Sequence, residues 1–134
     1  TISAITVAGA DLEYERQLRA TEHGQRSAEL RAHGRAMVEV GDLEQAHAVL
    51  TEALRMAGAD DSPAAASARH DLAKVHLDFA DRRMGVPIEH VLEAETHLRR
   101  ALDCPLRKRT AMRRMQTESL LSICLRRKAV FVPD

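Results

Sequence analysis

Seven histidines stand among 134 residues, and two of them share a register with a carboxylate that could bind metal. His90, Glu93 and His97 are three and four positions apart, which puts them on one face of a helix. Imidazole and carboxylate both ligate zinc, and a site here needs a further ligand from elsewhere in the chain. The plainer reading is solvated side chains on a helix back, so no metal and no cofactor are expected. His76 falls in an apolar register and reads as a packed core residue, whose charge could couple stability to pH. Cys104 near His97 lacks a third group to orient a nucleophile pair. The chain contains no phosphate-binding glycine loop, no G-x-S-x-G elbow and no H-E-x-x-H. The expectation is a protein that is not an enzyme.

Composition narrows the remaining classes. Tyr14, Phe79 and Phe131 are the only aromatics besides histidine, too few rings for a base-stacking platform. With Cys104 and Cys124 alone the chain cannot be a disulfide scaffold, and reduced thiols suggest a cytoplasmic setting. No apolar run approaches the roughly 20 residues of a membrane span, and residues 1–10 lack the basic start of a signal peptide. An opening residue other than Met fits an excised fragment of a larger chain.

The elements that must position any site are helices. Alanine (22) and leucine (15) dominate, and no stretch alternates with period two. The periodicity predicts about six helices, over about 10–22, 26–40, 43–57, 63–83, 88–103 and 107–128, after a flexible lead at 1–9. Gly24, Gly41, Gly58 and Gly85 mark breaks, as do Pro63, Pro87 and Pro105. Asp42 with Gln45 reads as a capping box, and Ser62-Pro63 as an N-cap followed by the first helical position.

Two helix pairs carry a repeat. Leu30, His33-Gly34, Met37, Ala46, Leu50 and Ala53 occupy the spacing W-x₂-L-G-x₂-Y then A-x₃-F, with Gly41-Asp42 at the turn. A looser copy has Leu72-Ala73-x₂-His76, then Ala94-x₃-Leu98-x₂-Ala101. Its small-to-small spacing is 21 residues (94 − 73) against 12 (46 − 34) in the first, so nine residues are inserted around 80–88. The chain thus resembles the tetratricopeptide repeat family, with Leu, Met and His where that family has rings. Its lengthened turn is similar to those of actinobacterial repeat arrays, which implies a bacterial regulator. The expected fold is all-α, antiparallel helix pairs stacked as a short right-handed solenoid in a single domain. Its parts are an N-terminal helix at 10–26, repeats at 27–58 and 63–103, and a basic capping helix at 106–128. Two and a half repeats fall short of the three or so that stability needs, so caps, a dimer partner or lost neighbours must complete the core.

The resemblance implies a concave groove lined by the first helix of each pair. It maps Arg31, Arg35, Val38 and Glu39 onto that groove, with Ser67, His70, Lys74, Leu77 and Asp78 from the second copy. Arg31, Arg35, His70 and Lys74 would make a basic strip for a ligand bearing carboxylates. The plainer alternative is a set of solvated surface charges. The expected function is a protein-interaction scaffold for a peptide or protein, an acidic one by this strip. The alternative is an oligomerising or structural segment of a larger regulator.

Charge is uneven along the chain. Residues 1–98 carry 10 basic and 17 acidic groups, whereas 99–128 carry 10 basic and two acidic ones. Arg107, Lys108, Arg109, Arg113, Arg114, Arg126 and Arg127 form the candidate basic patch. Its partner could be the acidic body of this chain or of a second copy in a homodimer, an acidic protein, or nucleic acid through phosphates alone. Few aromatics and no helix-turn-helix signal make nucleic acid the weakest of the three.

Overall fold

A computed structural model describes residues 2–131, with side chains from Gly9 onward. The described residues fold into seven helices: α1 (Ile2–Leu18), α2 (Glu22–Glu39), α3 (Leu43–Met56), α4 (Pro63–Asp81), α5 (Pro87–Ala101), α6 (Pro105–Arg109) and α7 (Ala111–Phe131). There is no strand among the described residues.

Local chemistry sets the boundaries. Thr21, Asp42 and Ser62 each accept the backbone N–H three residues on, from Gly24, Gln45 and Ala65. Pro87 and Pro105 open α5 and α6, where a missing N–H costs nothing. Gly41 has φ +86° and closes α2, with Gly41 N–H donating to Val38 O and Asp42 N–H to Met37 O. Arg83 closes α4 in the same way at φ 53°, an unfavourable conformation for a side chain with a Cβ.

Three expected boundaries move. Residues 2–9, expected as a lead, lie in the first part of α1. Gly24 is not a break, because it sits in the first turn of α2, where the N–H groups need no helical partner. A Cβ there would stand 2.7 Å from Leu18 O, so glycine lets α2 start close against the end of α1. The basic capping helix is two helices, split at Thr110, whose φ −98° and ψ 96° are extended.

α2 pairs antiparallel with α3, and α4 with α5. Ser27 Oγ donates to Ala53 O at the open end of α2/α3, while Gly34 meets Leu50 nearer the turn. A Cβ on Gly34 would lie 2.6 Å from Leu50 Cδ2, so this glycine sets the approach of the two helices. In α4/α5, Arg69 faces His97 and His76 faces His90. α4 packs against every other helix. Ala64, Ala65, Ala66, Ala68 and Ala73 are buried, and their small side chains admit neighbours from several sides. α1 packs against α2, α4 and α6, and α7 against α4, α5 and α6.

Candidate functional site

The first helices of the two pairs, α2 and α4, both line a pair of adjoining cavities. Arg31, Arg35, Val38 and Glu39 from α2 face Ser67, His70, Lys74, Leu77 and Asp78 from α4. Two contiguous cavities of about 730 and 370 Å³ share Arg35, Asp71, Lys74, Leu120 and Ile123. The wall that sequence reasoning missed is α7, which contributes Met112, Met115, Leu120 and Ile123 and turns the groove into a slot. Nothing in the repeat pattern tells on which side a terminal helix will lie.

Cations outnumber carboxylates in the larger cavity, where Glu15 and Asp71 are the acidic lining, whereas Glu39, Asp71, Asp78 and Asp81 outnumber the cations of the smaller one. Arg35 Nη1 donates to Asp71 Oδ2 at 3.1 Å. Burial pushes the Asp71 carboxyl above its usual pKa, with Arg35 and Arg31 opposing. Arg31 is buried, its Nε has no hydrogen-bond partner, and it forms no ion pair among the described residues. Burial lowers its pKa, against the pull of Asp71. Guanidinium stays charged through shifts of this kind, so Arg31 is a cation on the slot lining, with its Nε enclosed and unpartnered.

Arg107 also reaches the slot, from below. It is buried and held by hydroxyls: Nε donates to Thr117 Oγ1 at 2.9 Å, and Nη1 donates to the Tyr14 hydroxyl and to Ser67 Oγ. Thr117 Oγ1 lies 3.0 Å from His70 Nδ1. Burial, then Arg107 and Lys74, pushes the His70 pKa down to about 3, so this ring is neutral at physiological pH.

The basic patch is dispersed. Arg107 is a core residue, for the reason just given. Arg113 stacks on the Tyr14 ring, 4.2 Å from its centroid, and pairs with Asp11 and Glu15 of α1. Arg127 pairs with Asp81 at 2.8 Å, Lys128 with Glu95 at 2.9 Å, and Arg114 with Glu118 within α7. Lys108, Arg109 and Arg126 are exposed and form no ion pair among the described residues. Much of the C-terminal charge therefore meets acidic groups of its own chain.

The histidines gather elsewhere, and not on a solvated helix back. His90 and His97 are half-buried against α4, where His76 is buried. His76 Nδ1 lies 3.0 Å from His90 Nδ1. The His76 ring stacks on that of His97 at 5.8 Å between centroids and meets His47 of α3 edge-on at 5.0 Å. Burial, then the neighbouring rings, pushes the His76 pKa down to about 3, while burial and Arg69 bring His97 to about 4. These rings line a cavity of about 650 Å³ with Glu93 at its edge. Single-helix spacing found His90, Glu93 and His97 but could not bring in His47 and His76 from other helices.

Cys104 and Cys124 are buried free thiols, with Cys104 packed near Tyr14 and Leu18. Cys124 Sγ donates to Val91 O, and burial raises its pKa. Neither is placed as a nucleophile. No helix is long and apolar enough to cross a membrane among the described residues. No protein-family model, curated protein or solved structure matches the chain.

Proposed function

We propose that the chain is a non-catalytic protein-interaction module that takes an acidic segment of a partner in the slot between α2, α4 and α7. The observation that carries this reading is Arg31, a buried guanidinium on the slot lining with no ion pair among the described residues. Burying a cation without a partner destabilises a fold, and a ligand carboxylate would remove that cost. Arg35 and Lys74 flank it on the same slot, and Leu77, Leu120 and Ile123 give apolar surface for the rest of a peptide. This is the groove habit of tetratricopeptide-like pairs, and stacking of α2/α3 on α4/α5 as a short right-handed solenoid is part of the same reading. The internal pairing of Arg113, Arg127 and Lys128 weighs against a phosphate-backbone ligand on the C-terminal helix.

The test is fluorescence anisotropy with a labelled Glu-rich peptide and a Lys-rich control. The acidic peptide should bind, weaken as salt rises, and be released by the double change Arg35→Glu and Lys74→Glu. Equal binding of both peptides, or binding indifferent to that double change, would overturn the proposal.

A further inference from the structure

The second cavity carries an inference independent of the slot. We infer that His76, Glu93 and His97 form a binding site for a divalent transition metal of the zinc type, capped by His47 and His90. One ligand atom from each of the three lies within 4.8 Å of the other two. Zinc bonds of about 2.0–2.1 Å put tetrahedral ligand atoms roughly 3.4 Å apart, so closure needs about an ångström or more of side-chain movement.

The two residues that must move are able to. Glu93 is exposed and His97 half-buried, while His76 is fixed in the packing between α3, α4 and α5. The backbone supplies the register. Glu93 and His97 are four apart on α5, one above the other. Antiparallel pairing brings His76 of α4 opposite that pair. Two imidazoles and one carboxylate suit zinc over calcium or magnesium, which take oxygen ligands. Three protein ligands leave the fourth position open toward the cavity, or to His90, whose Nδ1 already stands 3.0 Å from that of His76.

Two existing contacts oppose the site: the hydrogen bond between His76 Nδ1 and His90 Nδ1, given up if either nitrogen turns to the metal, and one from Arg69. Arg69 Nη1 donates to His97 Nδ1 at 3.3 Å, which leaves the proton on the other ring nitrogen. Metal capture through that second nitrogen moves the proton to Nδ1. Arg69 then turns toward Asp60, which its Nη2 already approaches at 3.5 Å.

Chelator-stripped protein titrated with zinc chloride by calorimetry, and with Co²⁺ followed by visible absorption, tests the site. One equivalent should bind at micromolar metal, with a four-coordinate Co²⁺ spectrum. Outer-shell changes at metal sites cost about 10- to 100-fold, so His97→Asn and Glu93→Gln, which remove ligands, should each cost at least ~10-fold. His33→Asn, an exposed histidine of α2 outside the cluster, should bind as the native chain does. Circular dichroism on each variant confirms that helix content is kept. No stoichiometric uptake would overturn the assignment, as would uptake unchanged by both His97→Asn and Glu93→Gln.

Discussion

Arg107 Nη1 donates to the Tyr14 hydroxyl across 93 positions of sequence, joining the helix that opens the chain to the short helix before the last one. The same hydroxyl donates to Pro63 O and meets Ser67 Oγ at 2.8 Å, so one ring pins α1 and α6 onto the start of α4. Burial raises the hydroxyl's pKa, so it stays protonated as the network requires.

Tyr14→Phe keeps the ring under Arg113 and removes only the hydroxyl. A buried charged donor then loses an acceptor, which costs about 1–3 kcal/mol. Urea unfolding should show that loss as a lower midpoint with an unchanged slope. A midpoint equal to the native one would mean the network contributes nothing.

Arg31→Met separates stability from binding. The substitution keeps the stem's apolar packing and deletes a buried, unpaired guanidinium. Thermal melting should therefore be unchanged or raised, while the Glu-rich peptide loses affinity by about tenfold, roughly 1.4 kcal/mol. A large drop in melting temperature would instead make Arg31 a structural residue.

His70 gives the fold a signed pH dependence. Its pKa is about 3 in the folded chain against an ordinary 6.5, so the unfolded chain binds more protons between those values. The stability contribution is full above pH 6.5 and falls as pH drops from there toward 3. The fall is at most about 1.4 kcal/mol per pH unit. Denaturation curves of native and His70→Asn protein at several pH values should show a shallower acid loss in the variant. Parallel curves would contradict the assignment.

Arg83→Gly should stabilise. Arg83 is exposed and holds φ 53° at the end of α4, where glycine adopts the same backbone without a Cβ clash. A gain of about 1 kcal/mol is expected, read as a higher melting temperature. A loss would mean that the Arg83 side chain makes a contact of its own.

What was legible in the sequence was local or periodic. Asp42, Ser62 and Pro87 announce helix starts because capping depends on a few neighbouring residues. Gly34 and Ala46 mark a close helix approach because only small side chains permit it, and that register carried Arg31, Arg35, His70 and Lys74 into one slot. What stayed hidden depends on distant partners. Arg107 looks like a surface cation until Tyr14, Ser67 and Thr117 enclose it. Gly24 reads as a breaker until Leu18 O stands where its Cβ would be. His47 and His76 join His90 and His97 only once three helices are packed.

The most direct test of the interaction account is a backbone amide chemical-shift titration with the Glu-rich peptide. Saturable shifts should concentrate on α2, α4 and α7, around Arg31, Arg35, His70, Lys74 and Met115. Shifts confined to the exposed cations Lys108, Arg109 and Arg126, or no saturable shift at all, would contradict it.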